Sequence, residues 1–303
     1  MTYRTVFALL IAAANFSFAQ PRITNVEKLP LDSTHTWAAP RFSPDGARIY
    51  FTQANFDGIW EYTPSSRLVR TITTDSKSGY GFAFSADNNS IAYRRAVQGG
   101  GRRRSYEIIT QNLSSGSAAV RARGTGLSVP AFAQSELVYA SGKQTNNMGK
   151  VSTTSVSILG IENTKIALLR NGRKEILDPM GNGNYIWPAL SPDGTLLVAY
   201  EMDHGAFISD LNGHLIVKLG RRDAPAWTRD GKWIVYMNDR DDGDKLQSSD
   251  LKAVSSDGTS TVVLTETPDV MEMYPDCSPT DDRIVCASAE GSIYVLSYTE
   301  EAR

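Results

Sequence analysis

The chain has 303 residues, 21% of them charged, and carries a formal net charge of −2 with both signs interspersed. That balance excludes the basic footprint of a nucleic-acid binder and of a protein drawn to an anionic membrane. Its length exceeds the usual single core, which an array of small units around an axis can accommodate as one domain.

Residues 1–19 contain one basic residue, Arg4, an apolar run from Val6 to Ala14, and the ending Ser17-Phe18-Ala19, small where a signal peptidase reads. The run is too short for a permanent membrane span. A secretory signal is therefore expected at 1–19, cleaved near Ala19, with a mature chain of residues 20–303. Nothing later approaches about eighteen consecutive apolar residues, and no cysteine lies near the cleavage point to take a lipid. The expected product is exported, periplasmic or secreted, without membrane insertion.

After a spare β-rich stretch, Ile23-Thr24-Asn25-Val26, one pattern returns six times. The copies read Ala39-Pro40-Arg41-Phe42-Ser43-Pro44-Asp45-Gly46, Phe82-Ala83-Phe84-Ser85-Ala86-Asp87-Asn88, Pro130-Ala131-Phe132-Ala133, Pro188-Ala189-Leu190-Ser191-Pro192-Asp193-Gly194, Pro225-Ala226-Trp227-Thr228-Arg229-Asp230-Gly231 and Pro275-Asp276-Cys277-Ser278-Pro279. Repetition at about 37 to 58 residues marks small units that bury their apolar faces only by stacking. First strands are expected near 39–43, 81–85, 129–133, 187–191, 224–228 and 274–278.

Each copy continues through a tight turn into an alternating β-rich segment, such as Ile49-Tyr50-Phe51 or Trp233-Ile234-Val235-Tyr236. A second hairpin follows, at Asn171-Gly172, Asn212-Gly213 or Asp257-Gly258, dipeptides that supply the positive φ a twist-matched turn needs. Each unit is thus a four-stranded antiparallel sheet. The last unit runs out after three strands, so the stretch around Ile23 is expected to complete that sheet and close the ring. The fold class is all-β, a six-bladed β-propeller of four-stranded blades.

These registered segments, with Ser-Pro-Asp-Gly at 43–46 and 191–194 and Thr-Arg-Asp-Gly at 228–231, resemble the repeat of TolB-type, WD-like six-bladed propellers over essentially the whole mature chain. Two features depart from that family. The third copy lacks the Asp-Gly turn and is followed by an insertion, Ser141 to Asn163; and the small α/β domain preceding the TolB propeller has no counterpart before Ile23.

Strand order places the Pro-Asp-Gly and Asn-Gly turns on one face, and the variable loops after second strands, with the linkers before first strands, on the other. Recognition is expected on the variable face. Trp37, Tyr80, Tyr185, Trp187 and Tyr274 precede or open first strands and would ring the axial mouth, either plugging it or lining a pocket; Arg222, Asp223 and Glu272 would supply polar contacts. His35, His204 and the run Arg102, Arg103, Arg104 are secondary candidates on the same face, the arginines after three glycines reading first as a mobile, solvated hairpin loop and otherwise as a site for an anionic partner.

Chemistry finds no matching motif. The acidic stretch Asp239–Asp244 is not an EF-type loop, because Gly243 would put Arg240 at a ligand position. His214 follows Asn212-Gly213 on the opposite face from His35 and His204, so the three cannot share an ion. No Gly-x-Ser-x-Gly elbow and no Gly-Lys-Ser/Thr loop occurs. Cys277 is expected opposite Ile284 and diagonal to Cys286, beyond comfortable disulfide reach, which reads as two thiols. The expectation is a monomeric, non-catalytic propeller without cofactor or metal that binds an envelope or periplasmic protein, with carbohydrate binding or polysaccharide cleavage as the alternative.

Overall fold

The first turn of a blade is locked by its own side chains. Ser43 Oγ donates to Asp45 Oδ1 (2.5 Å) and accepts from the Arg48 N–H (3.0 Å), while Asp45 Oδ1 accepts from the Ala47 N–H (3.0 Å). Gly46 takes the positive φ (66°) that closes the loop. Ser85 with Asp87, Ser191 with Asp193 and Thr228 with Asp230 repeat this lock. The repeated tetrapeptide is therefore a hydrogen-bonding unit that sets hairpin register.

The computed structural model describes residues 19–97, 104–133, 136–141, 144–147 and 156–301, with backbone alone at 144–147 and 301. The expected signal segment therefore lies outside the described residues, apart from Ala19, as do Arg102, Arg103 and much of the 141–163 insertion. Strand β1 spans Gln20–Lys28. The first blade holds β2 (Trp37–Phe42), β3 (Ile49–Gln53), β4 (Ile59–Thr63) and β5 (Leu68–Thr73); the second holds β6 (Ala83–Phe84), β7 (Ser90–Val97), β8 (Ser105–Asn112) and β9 (Ala118–Gly124). In the third copy follow β10 (Ala131–Ala133), β11 (Glu136–Ser141) and β12 (Gln144–Asn147), then β13 (Val156–Glu162), β14 (Lys165–Arg170) and β15 (Arg173–Leu177). The fourth copy gives β16 (Tyr185–Leu190), β17 (Leu196–Glu201), β18 (Gly205–Asp210) and β19 (Leu215–Gly220). The fifth gives β20 (Asp223–Trp227), β21 (Trp233–Asp241), β22 (Leu246–Ser255) and β23 (Thr261–Val263), and the sixth β24 (Glu272–Cys277), β25 (Arg283–Ser288) and β26 (Ile293–Glu301).

The sheets are antiparallel and stand around an axis with β2, β6, β10, β16, β20 and β24 innermost in the six copies. No helix occurs among the described residues. The ring closes as the sequence implies: the last sheet has the order β1-β26-β25-β24, so the N-terminal strand completes the C-terminal blade, from Gln20 opposite Glu301 to Lys28 opposite Tyr294. Apolar side chains meet between neighbouring blades, as where Val285, Ile293 and Val295 of the last pack on Phe42, Ile49 and Phe51 of the first.

The third copy differs from the expected single blade. Its two hairpins belong to separate three-stranded sheets, β10-β11-β12 and β13-β14-β15, so the described residues form seven sheets, five of them four-stranded. The Asn171-Gly172 hairpin forms where expected, but β14 pairs with β13 rather than with β11. The cause is apolar burial: Leu159, Ala167 and Leu169 pack on Ala131, Ala133 and Val138 on one side. On the other, Ile166, Leu168 and Leu177 pack on Tyr185, Leu197 and Phe207. The extra sheet thus stands between two blades as a blade does. Strand β13 runs opposite to the other inner strands: the start of β13 shares the axial wall with the ends of β2 and β16.

Candidate functional site

Four inner strands share a backbone feature that decides which side chains reach the axis. Ala39, Trp187, Ala224 and Tyr274 each hold φ between 46° and 53° immediately before a proline. The ladders slip at these points, between Ala38 and Arg41, Ile186 and Ala189, Asp223 and Ala226, and Met273 and Asp276. Proline suits the bulge because it has no N–H to leave unpaired. A bulky residue at positive φ costs roughly 1–3 kcal/mol and persists only where its surroundings over-determine it. The bulge re-aims the strand.

This bulge brings two of the expected mouth residues together. Trp187 and Tyr274 form a T-shaped pair at 6.5 Å, and Trp187 also meets Tyr200 edge-on at 5.7 Å. Tyr274 is 39% exposed. Tyr200 in turn hydrogen bonds Asp223. Asp223 lies beside Asp239, and burial followed by that second carboxyl pushes Asp223 up to about 6. Arg221 bridges the acids, with Nε 3.6 Å from Asp223 Oδ2 and Nη2 3.2 Å from Asp241 Oδ2 and 3.6 Å from Asp239 Oδ1. Asp239 Oδ1 is buried and makes no hydrogen bond. The result is an aromatic step beside a mixed-charge ledge on the variable-loop side of blades four to six.

The other expected residues lie elsewhere. Trp37 is 3% exposed, packed edge-on to Phe51 (5.1 Å) and Trp60 (5.0 Å), with Nε1 donating to the Asp32 carbonyl (3.0 Å). Tyr185 is 2% exposed, its hydroxyl donating to Asp178 Oδ1 (2.7 Å) and accepting from the Met180 N–H (2.8 Å). Burial would raise Asp178, but Tyr185, Lys165 and two backbone N–H groups hold it down at about 2. Both aromatics are thus core residues and not part of a mouth ring. Arg222 donates to the Leu219 carbonyl and lies 5.3 Å from the Tyr236 ring, toward the outer strands. Glu272 is buried, with Oε1 accepting from Thr267 (2.5 Å), Oε2 unpaired, and its carboxyl pushed up by burial.

Tyr80 is 52% exposed and meets Phe56 edge-on at 5.3 Å. Behind it Arg94 lies 4.2 Å from the Tyr106 ring centroid and 6.0 Å from that of Tyr80. His35 and His204 each have Nδ1 on a carboxylate, of Asp32 (2.8 Å) and Glu201 (2.7 Å). Arg104 is exposed. Among the described residues no three His, Cys, Asp or Glu converge to hold a metal ion. Cys277, opposite Ile284, and Cys286 are free thiols, both raised by burial. Tyr200 and Arg94 carried no motif; second-strand alternation was the only signal that could have placed them on a face.

No family model and no curated protein matches the sequence. Solved structures do. TolB from Acinetobacter baumannii aligns with 16% identity and a TM-score of 0.51, over 90% of this chain and 57% of that one, so the chain spans little more than half the length of that protein. An oligogalacturonate lyase in complex with manganese aligns with 13% identity and a TM-score of 0.52, over 86% of this chain and 77% of that one. The β-propeller domain of Cps50 (Swd1) from Myceliophteria thermophila aligns with 14% identity and a TM-score of 0.60, over 92% of this chain and all (100%) of that domain. The fold is a TolB-like, WD-type propeller, and at these identities the likeness is of fold.

Proposed function

We propose that the chain is an exported, non-catalytic propeller that binds a protein partner of the cell envelope through its variable-loop face. One observation carries this reading: Trp187 and Tyr274, both in a costly backbone conformation, form an accessible aromatic step beside the Arg221–Asp223–Asp239–Asp241 ledge. An exposed tyrosine backed by a half-buried tryptophan, next to fixed charges, suits a protein surface, where aromatic side chains supply contact area at little entropic cost and charges set register. The TolB-like fold and the expected signal segment support a periplasmic setting.

The test is capture from solubilised envelope by the full chain, beside a variant carrying Tyr80→Ala, Tyr274→Ala and Arg221→Glu. A protein held by the first and lost with the second supports the reading. Equal capture by both, or capture of nothing, overturns it, and saturable quenching of tryptophan fluorescence by an oligosaccharide would replace it with the carbohydrate alternative.

A further inference from the structure

On the side of the Pro-Asp-Gly turns, opposite the ledge, the inner strands surround an axial cavity of about 430 Å³. Its wall includes Arg41, Phe84, Phe132, Leu190 and Asp276, and it reaches the turn residues Pro44 and Pro279, which places its opening on the turn face. The inner-wall positions Phe84, Phe132, Leu190 and Asp276 are all partly accessible, so this space is lined rather than filled.

Two opposite charges share that wall without bridging. Arg41 donates through Nη1 to the Phe82 carbonyl (2.9 Å) and lies 5.5 Å from the Phe82 ring centroid. Asp276 Oδ2 accepts one backbone N–H, from Phe42 (2.8 Å). The two side chains feel each other's charge but form no ion pair with one another among the described residues. Burial holds the Asp276 carboxyl above the ordinary aspartate range despite Arg41 and the Phe42 N–H. A carboxylate in this partly accessible wall, with a single donor and no cation paired to it, is costly to keep ionised.

We propose that this cavity binds a small zwitterion with an apolar side chain, an α-amino acid head group whose carboxylate meets Arg41 and whose ammonium meets Asp276, with the side chain against Phe84, Phe132 and Leu190. The pairing follows from the wall. An anion alone leaves Asp276 uncompensated, a cation alone confronts Arg41, which is exposed at the wall and already donates to the Phe82 carbonyl, and a neutral ligand leaves Asp276 without a cation. The volume falls within the range of roughly 300–1,000 Å³ usual for small-molecule sites. Because the opening is on the turn face, occupancy does not compete with a partner on the variable loops.

Titration calorimetry at neutral pH with L-phenylalanine and L-leucine tests this, beside phenylacetate and phenethylamine, which each carry one of the two charges. Saturable binding of an amino acid at least about tenfold tighter than either single-charge compound is expected. Asp276→Asn and Arg41→Gln should each weaken it by about tenfold or more, which corresponds to about 1.4 kcal/mol. Ala83→Phe, which fills the cavity and keeps both charges, should abolish binding in a protein that still melts cooperatively, and so tests the site even where a charge variant does not fold. No saturation by about 10 mM amino acid, equal binding of the single-charge compounds, or binding unchanged in folded Ala83→Phe would overturn the proposal.

Discussion

Removing residues 20–29 takes away the strand that closes the ring. Strand β1 pairs with β26 along its length, and Leu29 beyond it is 4% exposed, its N–H on the Ile293 carbonyl at 2.8 Å. Ile23 packs on the core between the fifth and sixth blades. The ladder hydrogen bonds, about 0.5–1.5 kcal/mol each, are largely offset by roughly 1–2 kcal/mol per residue of ordering. What remains is apolar burial, about 1.5–3 kcal/mol for buried Leu29 and less for half-buried Ile23. That is a sizeable share of a typical total of roughly 5–15 kcal/mol. Leu29→Ala alone should cost about 2–4 kcal/mol, lowering Tm by about 3–7 °C in a chain of this size. The deletion should lower it further, broaden the transition, and leave the β26 edge open to concentration-dependent self-association. Circular dichroism melts with sedimentation at two concentrations read all three effects. A deletion variant that melts sharply within about 2 °C of the full chain and stays monomeric would refute the ring-closure reasoning.

The Asp223–Asp239 pair makes stability depend on pH. Asp223 titrates at about 6 in the folded chain against 3.8 for the free group, so the folded state holds the extra proton and this contribution is lost as pH rises from about 4 to 6. Asp223→Asn, which cannot ionise, should gain on the order of 1 kcal/mol over the wild type at pH 7 and nothing at pH 4; a pH-independent difference in denaturant midpoints would sink the assignment. Two glycines separate conformational from steric demand. A Cβ at Gly194 (φ 70°) meets nothing within 4 Å, whereas one at Gly205 (φ 86°) would lie 2.3 Å from the Gly220 carbonyl. Gly194→Ala should cost about 1–2 kcal/mol, Gly205→Ala at least about 2 kcal/mol more, and equal denaturant midpoints would contradict the packing of the β18–β19 pair.

The repeat, the Ser-x-Asp-Gly turns and the Asn-Gly hairpins were legible in the sequence because each rests on local chemistry: a hydroxyl and a carboxylate two residues apart cap the same loop wherever they occur. Ring closure was legible too, since a blade with three strands and an unpaired strand at the other end of the chain leave one way to satisfy both edges. The mouth was not. Trp37 and Tyr185 stand six residues before Ser43 and Ser191 and are core, whereas Trp187, two residues after Tyr185, is itself the positive-φ residue of the bulge, where Ala39 stands in the first blade, and meets Tyr274. Side-chain alternation in a strand is a local rule, and a bulge breaks it where only the packed blade holds the strained residue in place. The separate β13–β15 sheet likewise depended on which apolar faces met: the same hairpin sequence could pair with β11 or β13, and burial against two neighbouring blades decided it.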